Sequence, residues 1–194
     1  MIRIISVEGD PFIGLYGILT DKYAILSENF SDIKLNVPIL KTKIYDMNFI
    51  EIFCVGNSKG LIVSDFITKD ERKKIENFCN ENGINFGIIE NKYNAIGNLI
   101  SCNDKGCVIS EKISEENIGK ISEILDIECK KVKIKDHDEI GSMLVVTNNG
   151  FLAHPDAENY IDELKEIFKV DGNVGTVNMG FPYVKLGILA NSSD

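Results

Sequence analysis

Apolar and polar positions alternate in short bursts along this chain, and one burst keeps returning. Ile50-Glu51-Ile52-Phe53-Cys54-Val55-Gly56-Asn57-Ser58-Lys59-Gly60-Leu61-Ile62-Val63 comes back as Ile96-Gly97-Asn98-Leu99-Ile100-Ser101-Cys102-Asn103-Asp104-Lys105-Gly106-Cys107-Val108-Ile109. It comes back again as Ile140-Gly141-Ser142-Met143-Leu144-Val145-Val146-Thr147-Asn148-Asn149-Gly150-Phe151-Leu152-Ala153. The turn positions Asn57, Asn103 and Thr147 are 46 and 44 residues apart, and one more step of 44 reaches Asn191. A weaker copy opens the series at Ile13, with Thr20 at its turn. A repeat of this period is one supersecondary unit that cannot bury its apolar face alone. The chain therefore reads as a single domain of five related units, about 8–47, 48–91, 92–135, 136–179 and 180–194, with a strand at 2–7 before them.

The second unit has the clearest grammar. Phe49 to Val55 reads as a strand, Asn57-Ser58-Lys59-Gly60 as a hairpin turn and Leu61 to Ser64 as the return strand. Glycine at Gly60, Gly106 and Gly150 suggests turns that need positive φ. Thr68 followed by Glu71 forms a capping box, Ile75, Phe78 and Cys79 make one apolar stripe, and Gly83 stops the helix. Ile84 to Glu90 closes the unit as a third strand. The next unit repeats the order, with Ser114 capping a helix whose stripe is Ile118, Ile121 and Leu125, and Ile127 to Ile134 as the closing strand. In the fourth, Asp156 is the expected cap for a stripe of Ala157, Ile161, Leu164 and Phe168, and Val174 to Val177 the expected strand. Hairpins exclude a helix-only solenoid, and capped helices exclude all-strand propeller blades, which leaves an α+β chain.

The two ends depart from the pattern. Ser27 to Asn36 places Phe30, Ile33 and Val37 at helical spacing, but Pro38 limits any helix to a turn or two. The fifth unit reaches Asp194 just past its hairpin turn, about 20 residues short of the fourth by comparison with it. Ile2 to Val7 has the shape to serve as that unit's third strand and close a ring, removing exposed sheet edges.

Composition narrows the chemistry. Net charge is −9 and arginine occurs only at Arg3 and Arg72, which argues against a broad phosphate-binding surface and against bare nucleic acid as a partner. The acidic balance suits a basic protein partner. The apolar runs are too short to span a bilayer, and no signal sequence is evident. Five cysteines without a secretory signal read as free thiols in a reducing cytoplasm. Cys54 and Cys79 sit on apolar stripes, and Cys102 and Cys107 face each other across a turn without a second pair to make a zinc site. No phosphate loop or dinucleotide fingerprint is present, so no cofactor and no metal is expected. His154-Pro155 reads as ordering a loop. Asp136-His137-Asp138-Glu139 puts an imidazole among carboxylates, in a stretch that reads as a solvated connection.

The chain resembles the translation initiation factor six family, ribosome anti-association factors of archaea and eukaryotes. The resemblance rests on Cys54-Val55-Gly56-Asn57, on Ala95-Ile96-Gly97-Asn98 running to Cys102-Asn103-Asp104, and on Ile140-Gly141-Ser142 running to His154-Pro155. Gly175-Thr176-Val177-Asn178 with Ala190-Asn191 adds a fourth motif. The resemblance implies a pentein-like α-β propeller of strand-strand-helix-strand units about a pseudo-fivefold axis. It implies a non-catalytic protein of archaeal type that binds the large ribosomal subunit, mainly through a basic ribosomal protein, and blocks joining of the small subunit. The position after each unit's glycine is implied to project from one face, here Leu15, Ile52, Asn98, Ser142 and Leu186. Ile52 departs from the family's frequent basic residue, and Glu51 before it replaces a glycine. Other penteins modify guanidine compounds with a cysteine nucleophile, so a divergent enzyme is one alternative; a degenerate scaffold for protein binding is another.

Overall fold

The computed structural model describes residues 3–193. It is a mixed α/β chain built on four three-stranded sheets: β1 Gly17–Leu19, β2 Ala24–Ser27 and β3 Ile39–Thr42; β4 Cys54–Gly56, β5 Gly60–Ser64 and β6 Asn85–Ile89; β7 Ile100–Cys102, β8 Cys107–Ile109 and β9 Cys129–Lys131; β10 Leu144–Val146, β11 Phe151–Ala153 and β12 Gly172–Val174. In every sheet the first two strands are an antiparallel hairpin and the third returns parallel to the second. A parallel return needs a crossover, and three of the four crossovers are helical. They contain α2 Lys69–Glu81, α4 Glu115–Leu125 and α5 Ile161–Phe168. Short turns precede the first strands: a 3-10 turn at Ile13–Tyr16, α1 Ile50–Phe53, α3 Ile96–Leu99, and, before Ile188, α6 Val184–Gly187.

Helix ends follow local chemistry. The Thr68 hydroxyl accepts from Glu71 N–H while the Glu71 carboxylate accepts from Thr68 N–H, a complete capping box. Ser114 caps α4 by accepting from Asn117 N–H. In the fourth unit the cap is His154, not Asp156. Its Nδ1 accepts from Asp156 N–H at 3.0 Å and starts a 3-10 segment, Pro155–Tyr160, before α5. Ala157, Leu164 and Phe168 are buried as their spacing requires.

Each helix covers the sheet of the unit before it. Ile75 and Cys79 of α2 pack with Ile18 and Ile25 of the first sheet. Ile121 and Leu125 of α4 pack with Val55 and Ile62 of the second, and Leu164 and Ile167 of α5 with Val108 of the third. Burying each unit's apolar face on its neighbour is what a repeat array demands. On the fourth sheet, the row Val145, Leu152 and Asn173 has no helix over it among the described residues, and these side chains are half-buried or exposed.

Several local expectations change. Phe49 to Val55 is not all strand, because Ile50–Phe53 is a helical turn that kinks the backbone before β4. The closing strand of the third unit shrinks to Cys129–Lys131, and that of the fourth moves to Gly172–Val174. Gly172 belongs there because a Cβ would lie 2.4 Å from the Phe151 ring beside it. Residues 28–38 form no helix; Phe30, Ile33, Leu35 and Val37 pack as irregular chain over Ala24 and Leu26, and β3 follows. The expected strand at 2–7 is also absent from its described part, where Val7 makes only a bridge to Asp10; Ile2 lies outside the described residues. Gly60 and Gly106 are not left-handed. They are glycine because Cβ atoms there would lie 2.1 Å from Ile124 O and Ile167 O at the ends of the next units' helices.

Candidate functional site: the two ends of the inner strands

The first strands of the sheets touch one another in succession, and with Ile188-Leu189-Ala190 they line a narrow cavity of about 70 Å³. Each end of these strands forms a ring of contacts in chain order, with the fifth segment meeting the first.

At the hairpin end the ring is polar. Asn57 Oδ1 accepts from Lys59 N–H and Gly60 N–H, holding its own turn, while Nδ2 donates to Asn103 O and Leu125 O in the next unit. Asn103 repeats this, its Nδ2 donating to Thr147 O and Phe168 O at 3.0 and 2.9 Å. Asn191 Nδ2 donates to Thr20 O. Threonine can hold its own turn but has no amide to reach onward, and other side chains supply those links. Tyr23, fully buried, donates its hydroxyl to Gly60 O at 2.8 Å, and Asn149 Nδ2 donates to Ser192 O. Burial pushes the Tyr23 hydroxyl far up, so it stays a donor. Next to this ring, Asp104 and Asp21 accept from the backbones of Ser58 and Ser192, and Asn148 Oδ1 from that of Asp104.

At the opposite end five short turns meet by close backbone approach. The α1 turn touches both the Ile13–Tyr16 turn and α3, and α6 touches the Ile13–Tyr16 turn. Gly141 N–H donates to Asn98 O, and Lys185 N–H to Ser142 O. A Cβ on Gly14 would lie 1.8 Å from Lys185 O, and one on Gly97 1.7 Å from Glu51 O. The matching positions are Gly14, Glu51, Gly97, Gly141 and Lys185. The two that are not glycine pair with each other. Glu51 Oε1 lies 2.7 Å from Lys185 Nζ, with the two side chains 1% and 16% exposed. Lys185 Nζ also donates to Gly97 O and Ile100 O. A buried carboxylate is tolerable only with such a partner. The loss of glycine at Glu51, legible in the sequence, is thus matched by Lys185 far along the chain.

The residues expected to form a face lie one position after these hub residues. Leu15, Ile52, Asn98 and Leu186 are half-buried; Ser142 is buried, and its hydroxyl donates to Asn98 Oδ1 at 2.9 Å. The structure thus joins Asn98 to Ser142 directly and gives Ser142 a structural bond rather than a free surface.

Sequence reading missed the segments leading into these turns. Val7-Glu8-Gly9-Asp10, Ile44-Tyr45-Asp46-Met47 and Ile134-Lys135-Asp136-His137 are each closed by an antiparallel bridge over residues of positive φ. Their signal was an apolar residue before Gly or Asp at the second turn position. Among the described residues, four of the five exposed large apolar side chains lie shortly before the short turns: Tyr45 in the second of these segments, Phe49 and Tyr93 just ahead of α1 and α3, and Met179 in a further bridged turn, Val177 to Phe181, ahead of α6. The Glu71 carboxylate also accepts from Tyr45 N–H and Asp46 N–H, tying one such segment to the cap of α2.

The Asp136–Glu139 stretch is more than a solvated connection. His137 Nε2 contacts Asp156 Oδ2 at 2.8 Å, and Asp138 pairs with Lys112. The hydrogen bonds from Lys135 and then His137 hold the Asp156 carboxyl down at about 2, while burial lowers His154 below the usual histidine range. All five cysteines are free thiols, and burial raises Cys54 and Cys107 above the range of a reactive thiolate. No helix among the described residues is long and apolar enough to cross a membrane.

Fold and site together define an internal-repeat α/β protein whose units are bonded to one another at both ends of their inner strands. The family model described as "eIF-6 family" matches residues 2–194, and the chain belongs to that family. It is 37% identical to a Translation initiation factor 6 of Thermococcus onnurineus, over 98% of this chain and 88% of that protein. A Pyrococcus abyssi protein of the same name is 36% identical over 99% of this chain and 89% of its own length. One from Picrophilus torridus is 33% identical over 100% and 90%.

Proposed function

We propose that this chain is a translation initiation factor that binds the large ribosomal subunit and sterically prevents premature joining of the small subunit, without catalysing a reaction. The observation that carries this reading is the family match along residues 2–194. The five units form one pentein-like domain in the cytoplasm, with the contact turns ringed about a pseudo-fivefold axis. The docking face is the end carrying Leu15, Ile52, Asn98, Ser142 and Leu186. Support for that end comes from Tyr45, Phe49, Tyr93 and Met179, exposed apolar side chains gathered in the segments that lead into its turns. Such side chains are what protein interfaces bury, and a net charge of −9 favours a basic ribosomal protein as their target. Burial raises the thiols of Cys54, Cys79 and Cys107, which disfavours these three as nucleophiles of a guanidine-modifying enzyme, whereas the half-buried Cys129 is lowered by its hydrogen bond with Cys107.

The test is sedimentation with archaeal large subunits at moderate salt. The chain co-migrates with them, and Asn98→Arg abolishes co-migration while its circular dichroism and melting stay near those of the parent, because an unpaired charge in a packed interface is costly. Parent protein left at the top of the gradient refutes subunit binding. Retained binding by Asn98→Arg moves the contact to another face.

A further inference from the structure

The chain has only two histidines, and the fold brings both to one carboxylate. His137 sits in the bridged turn that leads into the fourth unit's inner strand, and His154 and Asp156 lie at the start of the 3-10 segment after β11. His137 Nε2 is 2.8 Å from Asp156 Oδ2, and His154 Nδ1 is 4.0 Å from the same oxygen. One donor atom from each residue lies within 4.8 Å of the other two. His154 is 9% exposed, His137 23% and Asp156 34%, so the imidazoles are mostly covered and the cluster reaches solvent chiefly through Asp156.

We propose that His137, His154 and Asp156 form a site for one first-row divalent cation of the zinc class. Two imidazoles and a carboxylate are a borderline-soft donor set that suits zinc, nickel or cobalt and not magnesium or calcium. Three protein ligands leave a fourth position for water, on the side where Asp156 meets solvent. Around a zinc ion with bonds of about 2.0–2.2 Å, the donor atoms stand roughly 3.3–3.6 Å apart. The 2.8 Å contact therefore opens and the 4.0 Å contact closes by about half an ångström each, within reach of side-chain rotation.

Protons balance without net release. The cation takes the lone pair of His137 Nε2, and the proton there moves to Nδ1. That nitrogen faces the Tyr183 hydroxyl at 3.5 Å, which orients the ring from outside as metal-bound histidines require. At His154 the cation replaces Asp156 N–H as the partner of Nδ1. Giving up that cap, and the positive charge of Lys135 on Asp156 Oδ1, hold the affinity to the micromolar range. Occupancy ties the turn at 134–137 to the start of the 3-10 segment that precedes α5.

Calorimetric titration of the metal-stripped full chain with zinc chloride, with magnesium chloride as control, tests this. One zinc binds per chain with micromolar Kd, magnesium does not bind, and His137→Gln and His154→Gln each weaken zinc tenfold or more. Cobalt loaded at one equivalent shows tetrahedral or five-coordinate bands without thiolate charge transfer. His154→Gln also removes a helix cap, so circular dichroism accompanies it; if that variant does not fold, the half-buried His137→Gln decides. No saturable binding, zinc retained at full affinity by His137→Gln, or a thiolate signal with cobalt overturns the proposal, the last by assigning the metal to the cysteines.

Discussion

The two ends of the inner strands solve the same problem by different physics. At the hairpin end, buried amides reach from each turn to the next, and wherever threonine takes the place of asparagine another side chain completes the link. At the helical-turn end backbone lies directly on backbone, which requires glycine, and the two positions without glycine are reconciled by one buried ion pair. The first design degrades gracefully, because a hydrogen bond can be supplied from several positions. The second does not, since steric room cannot be lent by a neighbour.

That contrast can be broken most severely at Gly97. A methyl group there would sit 1.7 Å from Glu51 O, a backbone atom that cannot swing away. Gly97→Ala is expected to cost about 3 kcal/mol or more, read as a large fall in melting temperature or loss of soluble protein. An alanine that leaves melting unchanged would mean the hub is looser than these contacts imply. Next comes the ion pair. Lys185→Ala strands the Glu51 carboxylate and is expected to cost about 3 kcal/mol. Adding Glu51→Gly, which restores the repeat's usual residue, should recover much of it, with a coupling of at least about 1 kcal/mol in a double-mutant cycle by urea unfolding. Additive losses would show that the pair is incidental.

At the hairpin end Asn103→Ala removes two bonds within its turn and two across units, for an expected loss of about 2–3 kcal/mol by urea melts. Thr147→Ala should cost about 1, because its onward link is made by Asn149. Equal losses would undo the idea that this ring is redundant.

An effect as small as that at Thr147 is expected at Glu71, outside both rings. Partial burial alone would raise its carboxyl, but the N–H groups of Asp46, Thr68 and Tyr45 outweigh that and lower it. A folded pKa below the unfolded one gives stability that is complete above about pH 4.5 and is lost as pH falls through the folded value. Glu71→Gln should therefore cost about 1–2 kcal/mol at pH 7, with the gap to the parent closing below pH 4. A gap that persists in acid would point to packing rather than charge.

What the sequence determined by itself was whatever repeats or acts over a few residues. The period of the turns, the Thr68–Glu71 box, the Ser114 cap, the helix stripes and the hairpins all follow from neighbours in the chain. The family was legible for the same reason, in short motifs recurring in order. Tertiary structure decided the rest. Gly60 and Gly106 look like turn glycines, yet their reason is a helix end from the following unit. The departure of Glu51 from glycine is visible locally, but its partner Lys185 is three units away. His137 and His154 are unremarkable apart and become a cluster only because a bridged turn and a helix cap meet over Asp156. Local patterns encode which face a residue takes, whereas contacts between units depend on how those faces close on each other, and no periodicity in one strand or helix carries that information.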